Sequence, residues 1–267
     1  ATFGDHMVLQ RDKPVPVWGW SDAGEEVKVS FGGKTASAKA GKDGRWEVRL
    51  PAMKASGQAR ELTVEGSEEI IIKDVLVGEV WVCSGQSNME WSVNGALNPN
   101  EEKQAANHPK IRHIKVPKIP SDSHERNFKA NWQVCSPATA GGFTAVGYYF
   151  GRTLMQKLDV PIGLINSSWG GTRIEPWMPI EGYRILKDQG FAQEVIKRVE
   201  AVDPSTEQGK ARHLAGIESM KTWIKQAEQA VQAGKFPPSR PPAAQVGIGT
   251  SHQDPTRLYR GMIHPLV

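Results

Sequence analysis

Over residues 1–73, apolar and polar positions alternate in short runs broken by turn residues. Val15-Pro-Val-Trp-Gly-Trp20 and Glu26-Val-Lys-Val-Ser-Phe31 place apolar side chains at every second position, the period of a half-buried strand. Gly32-Gly33 follows the second run and is a hairpin signal, because two-residue turns need backbone that glycine adopts without strain. Further strands are predicted at Lys34–Ala40, Arg45–Leu50, Glu61–Glu65 and Ile70–Ile72, with a turn at Lys42-Asp43-Gly44. Many short strands with regular turns predict a small antiparallel β-sandwich. No polar group in it looks catalytic. A packing or carbohydrate-facing accessory domain is expected there, with Trp18 and Trp20 in its core.

From residue 74 the pattern changes. Val75–Cys83 is β-branched and largely apolar, as strands buried on both faces are. Ile111–Val116 is another strand candidate. Gly147–Lys157 has helical spacing of Tyr149, Phe150, Thr153 and Leu154, and Val160–Ile165 follows as a strand. Strand, helix and strand in succession predict parallel crossovers with helices on the faces of a sheet. Residues 181–235 read as two helices carrying Phe191, Val195, Ile196 and Val199, then Ile217, Met220, Trp223 and Ile224. Phe236–Pro242 breaks that pattern, and Gly247–Pro255 reads as loop. The segment from about 181 to 255 has the character of an insertion. The expected domains are therefore 1–73 and 74–267.

The 267 residues are 39% hydrophobic and 23% charged, ordinary for a globular protein with a sizeable core. The net charge of +4 is spread through interleaved acids and bases, so neither a nucleic-acid stripe nor a nucleic-acid partner is expected. No apolar run approaches the roughly 20 residues of a membrane helix. The chain starts at Ala1, which fits a removed leader and a location outside the cytoplasm: secreted, periplasmic or lysosomal. Cys83 and Cys135 each lie in an apolar context and read as buried thiols. No Cys/His spacing suggests a metal site.

The chemistry concentrates where two strands empty into small polar residues. In Gly78–Trp91 (GEVWVCSGQSNMEW) an apolar strand runs into Gly85-Gln86-Ser87-Asn88. A serine hydroxyl attacks a carbonyl only when it is exposed, near a base, and near donors for the developing oxyanion. The end of a parallel strand supplies the exposure. The Ser87 amide is then a candidate oxyanion donor. In Gly163–Trp177 (GLINSSWGGTRIEPW) a second strand ends on Gly170-Gly171, whose amides can turn outward without Cβ hindrance. Either segment alone is equally a conformational turn. Asn166-Ser167-Ser168 matches a glycosylation sequon, but at the end of a buried strand it is a poor acceptor.

Together the two segments resemble the signature of the sialate O-acetylesterase family within the SGNH hydrolases. The stretches MVLQRDKPVPVWGW, WQVCSP at 132–137 and LYRGMIHPLV at the end agree with it. The resemblance implies a flavodoxin-like parallel α/β sheet beside a β-sandwich, and removal of acetyl groups from sugar hydroxyls with no cofactor. It implies Ser87 as the nucleophile, with an oxyanion hole from Ser87 and from Gly170 or, more specifically, Gly171. Gln86, Asn88, Arg173 and Glu175 become candidate substrate-binding residues, with Trp177 beside them and Arg173 a candidate for a sugar carboxylate.

The family pattern continues past the GMIHPLV segment into a Gly-Gln-Gly-Glu-like turn and an Asp-x-x-His pair. Neither occurs here. Of the seven histidines, none sits in Asp-x-x-His; His108, His113 and His124 are assigned to or near middle loops, and His264 to the terminal segment. The resemblance therefore implies that the parallel sheet is incomplete in this chain. A complementary C-terminal fragment or second chain would supply the base, pairing with an apolar edge left open on the strand at 162–166. An acetyl xylan or other sugar acetylesterase is an alternative reading. So is a non-catalytic carbohydrate-binding module, for which the nine tryptophans offer stacking surfaces.

Overall fold

The structure is a computed structural model that describes residues 2–239, 249 and 251–267. Of the loop expected at 247–255, residues 247, 248 and 250 lie outside that range, as do residues 240–242 of the Pro-rich break. The chain divides into two groups by contact: residues 1–118 with 127–171, and residues 119–126 with 172–267.

The first group opens with β1 (Val8–Gln10), β2 (Val15–Trp20), β3 (Glu26–Phe31), β4 (Lys34–Lys39), β5 (Arg45–Leu50) and β6 (Ser56–Glu65). The β3–β4 hairpin turns through Gly32 and Gly33, both at positive φ (57° and 76°), as the sequence required. β4, β3 and β6 are antiparallel neighbours, and β2 pairs with β5 as a second antiparallel layer. Val27, Val29 and Phe31 of β3 and Trp46, Val48 and Leu50 of β5 are the buried alternate residues. Trp18 is half-buried, edge-on to Phe3 at 4.7 Å. Trp20 is not a core residue. It lies on the same outward side of β2 as Trp18, at the strand's end, and stays 38% exposed.

β7 (Glu69–Gly85) joins this sandwich to the parallel sheet. The two strands expected at 70–72 and 75–83 are one element of 17 residues. Its first half pairs antiparallel with β6, and its second half pairs parallel with β10 (Ile162–Ser168). Asp74 takes φ 55° where the β6 register slips, so the strand bulges but does not stop. This is why alternation alone divides it into two.

The parallel sheet runs β7, β10, β8 (His108–Lys115), with β9 (Gln133–Cys135) antiparallel on the outer side of β8. Two short helices precede β8: α1 (Ser87–Glu90) and α2 (Pro99–Ala105). α3 (Ala145–Leu158) then crosses over to β10. The Thr144 side chain caps α3 by accepting from the Gly147 amide, and Asp159 ends it in the left-handed region. Its buried face is Ala145, Gly147, Tyr148 and Gly151, and Phe150 is exposed. Of the four residues expected on it, Tyr149 and Leu154 pack half-buried against the same core, while Phe150 and Thr153 are exposed. Gly151 allows close approach: a Cβ there would lie 3.2 Å from an Ile162 methyl.

The expected open edge at 162–166 is not there. β10 is the central strand, paired on both sides, with all seven residues buried. The edge lies instead on β7. The Glu79 amide donates to Pro161 and the Gly85 carbonyl accepts from Trp169, so odd-numbered residues face β10. Even-numbered residues therefore turn their backbone the other way. β1 covers that side only as far as Gly78, and the Gln10 side chain caps the Val80 amide. Beyond it, Val82 and Ser84 face no strand among the described residues. Trp81 and Val82 are 43% and 55% exposed.

The second group holds α4 (Ile180–Ile185), α5 (Gly190–Glu200) and α6 (Glu207–Gln232). Ile180, Tyr183, Ala192, Val199 and Val202 form its apolar cluster. The two helices expected over 181–235 correspond to α5 and α6, although Phe191, Ile217 and Ile224 are exposed. Among the described residues no helix is long and apolar enough to cross a membrane.

Candidate active site

β7 delivers Ser87 to the carboxyl end of the parallel sheet. Gly85 closes the strand at φ 140°, a conformation L side chains rarely adopt. α1 starts immediately after Gln86 and is one turn long: Glu90 donates to the Gln86 carbonyl and Trp91 to that of Ser87, each at 2.9 Å. So tight a strand-to-helix turn leaves Gln86, Ser87 and Asn88 all exposed. The Ser87 hydroxyl donates to the Gln86 side-chain oxygen at 3.1 Å. Among the described residues no histidine is hydrogen-bonded to Ser87.

β10 ends beside it, with Ser168 in register with Gly85. The sequon Asn166-Ser167-Ser168 is buried throughout, and the Ser168 hydroxyl donates to the Asn166 side chain at 2.6 Å. The chain then turns through Trp169, Gly170 and Gly171. Gly170 packs directly on the serine: a Cβ placed there would sit 3.4 Å from Ser87 Cα and 3.6 Å from Ser87 Oγ. The Gly170 amide is already committed, donating to Glu90 Oε2 at 2.6 Å. Gly171 takes φ 77°, and a Cβ there would meet open space. Of the two glycines expected as oxyanion donors, Gly170 has its amide spent in this structure.

Glu90, which lies between these two turns, is not among the residues singled out from the sequence. Its other oxygen pairs with Lys118 Nζ at 2.5 Å, and that ammonium lies 5.2 Å from the centre of the Trp169 ring. Burial raises the Glu90 pKa, but hydrogen bonds from Lys118 and the Gly170 amide outweigh it and hold the carboxyl below the usual range. An acid three residues after a serine gives no signal in one dimension. The contact depends on two strands becoming neighbours.

The remaining candidates lie elsewhere. Arg173 and Glu175 belong to the second group. The Arg173 amide donates to Gln253, the Glu175 carbonyl accepts from Tyr183 and Thr256, and no ion pair joins the two side chains among the described residues. Trp177 donates its indole N–H to Thr172 at 2.9 Å. His113 is not in a loop; it is a buried residue of β8, stacked on Phe143 at 4.4 Å. His264 stacks on His124 at 4.2 Å and contacts the Glu125 carbonyl. Cys83 and Cys135 are buried free thiols. No His/Cys/Asp/Glu cluster among the described residues is set to hold a metal ion.

A parallel sheet flanked by helices, an attached antiparallel sandwich and a serine turn at a strand's carboxyl end define an α/β protein of the SGNH type. Within that class, the chain belongs to the carbohydrate esterase family of sialic acid-specific acetylesterases, SASA, whose model matches residues 77–217. It is 30% identical to the sialate O-acetylesterase of Rattus norvegicus over 98% of this chain and 48% of the relative. It is 35% identical to that of Homo sapiens over 66% of this chain and 37% of the relative. A solved carbohydrate acetylesterase of Xanthomonas citri superposes with TM-score 0.65 at 45% identity, covering 70% of this chain and 44% of that one. The chain thus spans half or less of the length of these relatives.

Proposed function

We propose that this chain is the nucleophile-bearing part of a serine-dependent carbohydrate O-acetylesterase whose substrates include O-acetylated sialic acid. The observation that carries the reading is the exposed Ser87 hydroxyl at a parallel strand's end, with Gly170 packed against it. Ser87 Oγ attacks the acetyl carbonyl, and its proton passes to a base. The tetrahedral oxyanion is held by the Ser87 and Gly171 amides. Collapse releases the sugar, whose oxygen takes the proton back, and leaves an acetyl-serine. Water then attacks with the same base and frees acetate. Gln86, Asn88, Arg173 and Glu175 belong to the proposal as sugar contacts, and a location outside the cytoplasm rests on this substrate class alone.

The base comes from a complementary segment, whether a C-terminal fragment or a second chain. Two features support this: Ser87 has no histidine partner among the described residues, and the strand carrying it has an open edge at Val82 and Ser84. A paired strand there would cover Trp81 and Val82 and place its own carboxyl end beside Ser87. The Xanthomonas citri neighbour is named for carbohydrate in general, which keeps acetyl xylan and other acetyl sugars as a second substrate reading.

The test is a serine-directed fluorophosphonate probe and a chromogenic acetyl ester, applied to this chain with and without the segment that follows it in its gene. Labelling at residue 87, abolished in Ser87→Ala and accelerated by the segment, is expected. Sugar binding with no labelling in either sample would favour a non-catalytic binding module. Acetylated sialic acid and acetyl xylan oligomers, compared as substrates, separate the two sugar readings.

A further inference from the structure

The geometry points to Glu90 as a positioning residue, the group that clamps the glycine turn to the serine turn in the reaction proposed above. The inference rests on Ser87 being the nucleophile but assigns a role to a side chain that touches no substrate.

The β7–β10 ladder makes its last backbone bond from Trp169 to Gly85. Past that point the two loops that form the site have left the sheet. Glu90 bridges them. It sits on the same single helical turn as Ser87, three residues on, and its carboxylate accepts from the Gly170 amide at 2.6 Å. A hydrogen bond to a charged acceptor is roughly twice as strong as a neutral one. The carboxylate is itself fixed by Lys118 at 2.5 Å, and Lys118 lies over Trp169. Trp169 and Gly170 are thus gripped by one ion pair, through a ring face and an amide. Serine and glycine turn move as one body.

Glycine at 170 lets the clamp close without displacing its partners. Any Cβ would stand 3.0 Å from the Glu90 oxygen and 3.4 Å from the Ser87 backbone. Holding the Gly170 amide also constrains the following peptide, which carries the Gly171 N–H. Glu90 therefore sets how far that donor lies from the serine, the distance on which oxyanion stabilisation depends. Losing its charge frees the turn while leaving every reacting atom in place.

The test uses two readouts on the full chain with its complementary segment. In amide NMR, the Gly170 N–H resonance is expected to titrate below the usual glutamate range and to lose that titration in Glu90→Gln. In kinetics, Glu90→Gln is expected to lower kcat about tenfold with KM unchanged, within the roughly hundredfold that a 1 Å misplacement costs. Lys118→Met is expected to raise the acid limb of the pH–rate profile, a change that a merely structural role would not produce. A Gly170 resonance indifferent to pH and to Glu90→Gln overturns the inference whatever the activity. So does a titrating resonance with kcat and the acid limb unmoved in both variants. A wild type that never labels at Ser87 removes the nucleophile reading instead, and the clamp's catalytic role with it.

Discussion

Arg112 reaches from β8 to grip Asp74 at the bulge of β7, with Nη1 at 2.7 Å and Nη2 at 3.2 Å from its two carboxylate oxygens. The arginine is buried, while the Asp74 side chain keeps 29% exposure. His6 also contacts Asp74 at 2.6 Å. The guanidinium also donates to the Pro109, His6 and Asp74 carbonyls. The ion pair therefore holds a left-handed aspartate at the point where β7 passes from one sheet to the other.

Asp74→Asn is expected to strand the Arg112 charge. Breaking a buried pair costs about 3–5 kcal/mol, and the partial exposure of Asp74 puts this one at the lower end. Burial raises the Asp74 pKa, but Arg112 and His6 together hold it below the usual value. The stabilisation is thus present above the unfolded-state pKa and is lost as pH falls through the folded one. Urea unfolding of both proteins from pH 7 down to pH 3 should show the difference shrinking. A constant difference would sink the ion-pair account.

His113 makes a second acid liability. Burial, and then nearby Lys115, push its pKa down to about 3, and its Nδ1 has no hydrogen-bond partner. Folding keeps it neutral, so the unfolded chain binds the extra proton between about pH 6.5 and 3. Stability should fall with decreasing pH across that window, by up to about 1.4 kcal/mol per unit. His113→Gln should flatten this slope in thermal unfolding runs, whatever it does to the midpoint at pH 7.

Gly170→Ala tests the packing at the site. The added methyl needs a shift of a few tenths of an ångström against Glu90 and the Ser87 backbone. Probe labelling at Ser87 should slow by about tenfold or more, with the unfolding midpoint nearly unchanged. A labelling rate equal to wild type would mean that the turn relaxes freely.

The two cysteines report on β7 and β9. Burial raises each thiol to about 11, so neither forms thiolate near pH 8. An aromatic disulfide reagent should find no reactive thiol in the native protein and two after denaturation. Early reaction at Cys83 alone would reveal opening of the strand that carries Ser87.

If the proposed complementary segment exists, mixing this chain with it should lower the fluorescence accessibility of Trp81 to a neutral quencher and raise solubility. The edge at Val82 and Ser84 is the expected contact. Unchanged quenching with restored activity would place the segment elsewhere.

The sandwich strands were legible because one face of each is buried, and alternation records that directly: β2, β3 and β5 begin and end where the pattern does. The exposure of Ser87 was legible because a strand ending in glycine and then serine presents its turn to solvent. The continuity of β7 was not, since Lys73 and Asp74 interrupt the apolar run while the backbone carries on through a bulge. Arg112 reads as a polar position in a strand and His113 as belonging to or near a loop, yet both are buried in β8, one by an ion pair and the other by a stacked ring. Partners distant in sequence made those sites tolerable. Phe150 misled for the opposite reason: it falls at helical spacing but stays 41% exposed, in edge contact with the equally exposed Trp81 of β7. The open edge was placed one strand away because strand order is a tertiary property.

The 17-residue span of β7 has a practical corollary for engineering. A chimera joined at residues 73/74 would cut a single β-ribbon in the middle of its hydrogen-bonded length. The sandwich strands and the serine turn share one rod, so exchanging the former between relatives means redesigning the latter's foundation.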